Sequence, residues 1–322
     1  MKITILDGYG ENPGDLSWEG FERLGELTVY DRTPHREGNA EILRRAKGSA
    51  AVITNKTPLT RETIEALLPE LEYIGLLSTG YNIADIDAAR EHGIPVCNIP
   101  SYSTQAVAQF TIALLLELCH HVGHHSDEVR RGRWSANADF CFWDTPLIEL
   151  QGKTFGVVGY GKIGQAVARI ADAMGMHVIA YSPSHKECGY AEQTTLERVV
   201  AESDVLSLHC PLFEQTKGLI NAETISRMKD GAFLLNTARG PLIDEQAVAD
   251  ALKSGKLAGA AMDVLSTEPP AADNPLLTAP NCVITPHIAW ASKECRVRLM
   301  DIAVDNLSSF IKGEIKNSVN GF

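Results

Sequence analysis

Three residues in the last third of the chain could between them grip an anion and move a proton: Arg239, Glu268 and His287, separated by 29 and 19 residues. Each lies just past a short apolar run, in the segments Asn236-Thr237-Ala238-Arg239-Gly240, Asp263-Val264-Leu265-Ser266-Thr267-Glu268-Pro269 and Thr285-Pro286-His287-Ile288. An arginine presents a planar fork to a carboxylate and polarises a carbonyl beside it. A histidine takes up or gives a proton near neutral pH. A carboxylate next to it fixes the ring's tautomer and stabilises the imidazolium. Alone, each has a plainer explanation: a surface ion pair for Arg239, loop decoration for Glu268, a packed turn for His287. Open parallel sheets, however, bind ligands beyond the carboxyl ends of their strands, where all three residues are expected.

Gly159-Tyr160-Gly161-Lys162-Ile163-Gly164 strengthens the functional reading. The pattern follows the apolar strand Phe155–Val158 and opens a helix, the context in which G-x-G-x-x-G binds a dinucleotide. The first glycine permits the tight turn, the second lets a pyrophosphate reach backbone N–H groups at the helix start, and the third allows close helix–strand contact. An acidic residue for the ribose hydroxyls is expected at the end of the next strand. Ser182 stands there, 18 residues past Gly164, with His185 and Lys186 nearby and no arginine to hold a 2′-phosphate. NAD is therefore the expected cofactor, with NADP as the alternative.

The surrounding pattern must hold these loops. Ile3–Leu6, Leu27–Tyr30, Ala50–Thr54, Tyr73–Leu77 and Val96–Ile99 read as strands. Between them lie helices over Trp18–Leu24 and Glu41–Ala46, one opened by Thr60, and one over Asp85–Glu91 that Gly93 ends. A long apolar helix, Ser103–Leu118, follows. A second alternating set has strands at Phe155–Val158, His177–Tyr181, Val205–His209, Ala232–Asn236, Gly259–Val264 and Cys282–Thr285. Its helices include Gln165–Met174, Ala222–Met228 and Asp244–Lys253. Such alternation predicts an α/β chain with two doubly wound parallel-sheet domains, 1–100 with 291–322 and 101–290, and a cleft between them. The closing helix, Lys293–Ile311, is expected to return to the first domain because the second is already complete.

Composition narrows the functional classes. The 322 residues carry 29 Lys plus Arg against 41 Asp plus Glu, a net charge of −12, which disfavours nucleic acid and anionic membranes as partners. A small anionic substrate stays open, since it needs one placed cation. Seven scattered cysteines with no C-x-x-C read as reduced cytoplasmic thiols. The amino-terminal apolar run is too short for a signal peptide, and no run approaches the ~20 residues of a membrane span. His120-His121-Val122-Gly123-His124-His125 holds i, i+4 pairs that could ligate zinc, but a solvated helix end is expected and no metal. The aromatic stretch from Arg130 to Pro146, with Trp134 and Trp143, reads as a packed connection between domains or protomers.

In this order, Gly159 to Gly164, Asn236 to Gly240, Met262-Asp263-Val264, Thr267-Glu268-Pro269 and Pro286-His287-Ile288 resemble the D-isomer-specific 2-hydroxyacid dehydrogenase family over essentially the whole chain. The resemblance implies a flavodoxin-like substrate domain, a Rossmann dinucleotide-binding domain and a homodimer. It implies that Arg239 binds the substrate carboxylate and carbonyl, that His287 is the acid/base paired with Glu268, and that Asp263 contacts the nicotinamide side. Ser78, Thr79 and Gly80 match the loop whose backbone helps bind the substrate carboxylate. Thr104, His209, Cys210, Pro211, Thr216, Thr237 and Ala238 match positions lining the cofactor site, with Gly159, Gly161, Lys162, Ile163, Gly164 and Ser182. Pro286 to Ala291 and Gly80-Tyr81-Asn82 are most similar to the glycerate dehydrogenase, or hydroxypyruvate reductase, members. Formate-oxidising members carry Gln where Glu268 stands. A different class, dinucleotide-binding corepressors, retains the same Arg, Glu and His but adds partner-binding segments that this chain does not display.

Overall fold

A computed structural model describes residues 1–184 and 189–322; His185 and Lys186 lie outside the described residues. From the amino terminus run β1 (Lys2–Ile5), α1 (Glu19–Glu22), β2 (Glu26–Val29), α2 (Ala40–Ala46), β3 (Ala51–Thr54), α3 (Arg61–Ala66), β4 (Tyr73–Leu76), α4 (Ile86–Glu91) and β5 (Val96–Cys97). Next come α5 (Thr104–His120), α6 (Val122–Arg130), β6 (Thr154–Val158), α7 (Lys162–Ala173), β7 (His177–Tyr181), β8 (Glu192–Gln193), α8 (Leu196–Glu202) and β9 (Val205–Leu208). The chain closes with α9 (Ala222–Arg227), β10 (Ala232–Asn236), α10 (Glu245–Ser254), β11 (Leu257–Met262), β12 (Cys282–Ile284) and α11 (Lys293–Ile311). These divide into two compact units, Met1–Tyr102 with Ala291–Phe322, and Ser103–Trp290.

In the first unit five parallel strands lie in the order β2-β1-β3-β4-β5. β3 and β4 are buried along their whole length, as strands covered on both faces must be, and so read as continuous apolar runs. The helices start where side chains cap them: Thr60 accepts from the Thr63 N–H and Asp85 from the Ala88 N–H. α11 does return to this unit. Phe310 stacks on Tyr73 at 5.0 Å between ring centroids, and Asn306 donates to the Asn98 carbonyl at 3.0 Å. Arg296 grips the Asp15 carboxylate with both terminal nitrogens, at 2.7 and 2.8 Å.

The second unit holds seven parallel strands in the order β12-β11-β10-β9-β6-β7-β8. β6 pairs with β7 on one side and β9 on the other, so the strand order reverses at β6. The carboxyl end of β6 is where such a sheet offers a binding crevice, and the glycine turn lies there. One apolar face packs α5 and α7 through Ile112, Leu115, Val167 and Phe155; the other packs α8 to α10 through Val199, Ile225 and Leu252.

Two elements escaped the apolar pattern. α6 buries no residue; it begins after His121 turns left-handed at φ +46°. β8, of two residues, is too short to announce itself. β11 starts two residues earlier than expected, because its ladder to β10 runs from Leu257 and Asp263 has already left it for the loops beyond. The histidine run is drawn into local bonds: His124 Nε2 lies 2.6 Å from Asp144 and His125 Nδ1 2.9 Å from the His121 carbonyl. Among the described residues no single helix is long and apolar enough to cross a membrane.

Candidate active site

The glycine turn explains itself residue by residue. Gly159 has φ +98°, and a Cβ there would sit 2.3 Å from the Cys210 nitrogen. A Cβ on Gly164 would sit 2.3 Å from the Gly159 carbonyl oxygen. A Cβ on Gly161 would meet nothing within 4 Å among the described residues. Internal packing therefore demands glycine at the first and third positions but not at the second. What the second glycine keeps open is space beside the N-terminus of α7, whose first-turn N–H groups and positive dipole end suit a pyrophosphate. Lys162 and Ile163 form that first turn. The turn thus fits a dinucleotide.

The other positions matched to the cofactor are spread over several elements of the second unit. Ser182 directly follows β7 and Thr104 opens α5. His209 and Cys210 follow β9 and back the glycine turn. His209 Nε2 is 2.8 Å from the Ser207 hydroxyl, its Nδ1 is buried with no partner among the described residues, and burial pushes the imidazole down to about 4. Burial likewise pushes the Cys210 thiol up to about 11. The Thr216 hydroxyl donates to the Pro211 carbonyl at 2.8 Å, and Thr237 shares a hydrogen bond with Thr111 of α5 at 2.9 Å.

Arg239, Glu268 and His287 occupy loops beyond β10, β11 and β12, three adjacent strands. Asn236 ties the first loop, donating to the Arg239 carbonyl at 2.9 Å while its own carbonyl accepts from Ala238 N–H at 3.1 Å. The Arg239 guanidinium is exposed and has no ion pair among the described residues; it donates to the Ala238 carbonyl at 2.6 Å. The first and second loops touch through backbone: a Cβ on Gly240 would lie 1.9 Å from the Leu265 carbonyl carbon. The second and third join through side chains, with His287 Nδ1 2.7 Å from Glu268 Oε2. Glu268 Oε1 also accepts from the Leu265 N–H at 3.2 Å. His287 and Glu268 side chains keep 31% and 37% of their surface, so both stay reachable. His287 Nε2 has no partner among the described residues. This is an imidazole held at one nitrogen and open at the other, with an exposed cation on the loop two strands away.

Glu245, at the start of α10, was not legible as part of the site. It accepts from the Ser266 N–H and hydroxyl at 2.7 and 2.8 Å and from Asn274 at 2.8 Å, bracing the Glu268 loop. Sequence offers only an acid in a helix's first turn, which has an ordinary explanation.

Ser78, Thr79 and Gly80 follow β4 in the first unit. The Ser78 hydroxyl donates to the Gly80 carbonyl at 2.6 Å, and the Thr79 hydroxyl to the Ile99 carbonyl at 2.7 Å. The Thr79 and Gly80 N–H groups have no partner among the described residues.

A doubly wound sheet with a phosphate-fitting glycine turn at its switch point, and an Arg with a His–Glu pair on the neighbouring strand ends, defines a dinucleotide-binding oxidoreductase fold. Residues 112–289 match the model of the D-isomer specific 2-hydroxyacid dehydrogenase NAD binding domain. The chain is 55% identical to a hydroxypyruvate reductase of Blautia hydrogenotrophica, over 99% of this chain and all of that protein. It is 40% identical to a glycerate dehydrogenase of Methylorubrum extorquens, over 99% of this chain and 98% of that one. The apo structure of D-lactate dehydrogenase from Escherichia coli superposes with a TM-score of 0.87 at 30% identity, covering 99% of this chain and all of that one. The chain belongs to the D-isomer specific 2-hydroxyacid dehydrogenase family.

Proposed function

We propose that the protein reduces a small 2-oxo acid to the D-2-hydroxy acid, and runs the reverse oxidation, with hydroxypyruvate/D-glycerate or glyoxylate/glycolate as its substrates. The 2.7 Å pair between His287 and Glu268, on a sheet edge that also carries the exposed Arg239, supports this reading. When bound, reduced nicotinamide supplies the hydride that goes to the carbonyl carbon. Arg239 holds the substrate carboxylate and polarises the carbonyl toward that attack. As the carbonyl π pair moves onto oxygen, His287 Nε2 gives that oxygen its proton, and Glu268 stabilises the imidazolium from the other side of the ring. In oxidation the same nitrogen takes the hydroxyl proton.

NAD(H) is the proposed cofactor, since the open space at Gly161 suits the diphosphate that both dinucleotides share and no arginine near Ser182 favours the 2′-phosphate. Exposed Trp134, Phe140 and Trp143 between α6 and β6 support a homodimer. Six described cysteines, none disulfide-bonded, suit a cytoplasmic protein. The test is consumption of NADH and of NADPH, followed optically, with hydroxypyruvate, glyoxylate, pyruvate and 2-oxoglutarate in turn. Faster NADH consumption with the first two is expected; no consumption with any acid defeats the proposal.

A further inference from the structure

Glu245 is the first residue of α10, yet its carboxylate serves a different element. The helix start is capped by Asp244, whose carboxylate accepts from the Ala247 N–H at 3.0 Å. Glu245 spends both oxygens on the loop that carries Glu268. Oε1 accepts from the Ser266 N–H at 2.7 Å, and Oε2 from the Ser266 hydroxyl and the Asn274 amide, each at 2.8 Å. The Asn274 amide is itself oriented, because its carbonyl accepts from the Leu276 N–H at 3.0 Å and only its NH2 is left for Glu245. One carboxylate thus staples the loop at two points, with Glu268 between them. The staple reaches Glu268 through backbone. The N–H groups of Leu265 and Ser266 are consecutive and go to different carboxylates: Leu265 donates to Glu268 Oε1 at 3.2 Å, Ser266 to Glu245. The same two residues are met by Gly240, where a Cβ would collide with the Leu265 carbonyl and the Ser266 nitrogen. With Ser266 fixed, the Leu265 N–H is a fixed rest for Glu268 Oε1, and Oε2 meets His287 Nδ1 at 2.7 Å.

We propose that Glu245 is the positioning residue of Glu268: by fixing the Leu265–Ser266 backbone it holds the Glu268 carboxylate where it meets His287. This deepens the proposed function and rests on it. A carboxylate suits the task because all three donors need acceptors, and they are spread over both oxygens. The plainer role for an acid in the first turn of a helix is to favour the positive end of the helix dipole. That role acts on stability alone, whereas a positioning residue acts through Glu268 on the imidazole.

A double-mutant cycle separates the two roles, with E245A, E268Q and the double variant prepared as full chains and assayed with hydroxypyruvate and NADH. E245A is expected to lower kcat about 10-fold, less than the ~10²-fold of a misplacement of about 1 Å, because the Leu265 N–H stays within reach of Glu268. The loss of kcat at high pH should move to lower pH, since a poorly held Glu268 stabilises the imidazolium less. The NADH Kd, read by fluorescence titration, should stay unchanged. E245Q, which keeps one acceptor for the Ser266 N–H, should recover part of the lost turnover. In the E268Q background E245A should cost nothing further. A lower melting temperature with kcat and its pH dependence unchanged, or losses that multiply with E268Q, would overturn the positioning role and leave the proposed function standing. No NADH consumption by the unaltered protein would overturn both. If E245A does not fold, Asn274→Ala removes one of the three bonds, and its cycle with E268Q decides by the same rule.

Discussion

Both sheets end in the same device, and they use it differently. Past β1, Asp7 accepts from the N–H groups of Asn55, Lys56 and Thr57 and from the Thr54 and Thr57 hydroxyls, pinning the loop beyond β3. Past β11, Asp263 does the same to the loop beyond β12. In each, a second carboxylate stands close by. Beside the Asp263 clamp it is Glu268, 37% exposed and paired with an imidazole. Beside the Asp7 clamp it is Glu11, fully buried, with Oε1 bonded to Asn55 and Oε2 with no partner among the described residues. Burial, with the Asp7 charge added, pushes Glu11 up to about 8, so this carboxyl stays protonated through neutral pH. A clamped strand-end loop becomes chemistry only where its neighbouring acid keeps contact with water and gains a basic partner. Where it is sealed in, the acid is a cost to stability instead.

The largest test of that contrast is His287→Ala. Removing the imidazole should lower kcat about 10³-fold, within the range for lost general acid–base catalysis, with NADH affinity nearly intact by titration. Near-normal rates would place the two clamps on the same footing. Arg239→Ala should lower kcat/KM about 10²-fold with a higher KM for the 2-oxo acid, and Arg239→Lys should restore only part, because an ammonium lacks the two-pronged fork. Gly161→Ala sharpens the picture within the second unit. The added methyl meets nothing within 4 Å among the described residues, so the melting temperature should stay within a few degrees while NADH binding weakens at least about 10-fold; Gly164→Ala, against the Gly159 carbonyl, should lose stability too.

The smallest effect concerns the first unit and bears on stability. Below about pH 4.5 Glu11 is protonated whether the chain is folded or unfolded. Between there and about 8 the unfolded chain sheds the proton and the native state does not, so stability falls as pH rises. Glu11→Gln should therefore raise stability at pH 8 to 9, by a few kcal/mol at most and seen as a higher melting temperature, and leave it unchanged near pH 4. A gain that is equal at both pH values would show that Glu11 is not held neutral.

How much of this could be read beforehand differs from residue to residue. Continuous apolar strands such as Ala51–Thr54 and Ala232–Asn236, separated by helices, announce a parallel sheet because only strands covered on both faces are apolar throughout. The glycine turn announces its ligand because backbone approach to a phosphate excludes side chains, a local requirement written in local sequence. α6 stayed hidden because it buries nothing. Glu245 stayed hidden because its partners lie 21 and 29 residues away.

The chain alone determined the alternating fold, the diphosphate turn and the three residue types suited to the chemistry, since propensity, burial period and backbone strain act over a few residues. Only the tertiary structure decided that Glu268 meets His287, that Asp263 spends both oxygens on the loop around it, and that Gly240 must yield to the Leu265 backbone. Those facts depend on which strands become neighbours. Strand order is set by packing both faces of the whole sheet, and no single segment carries it.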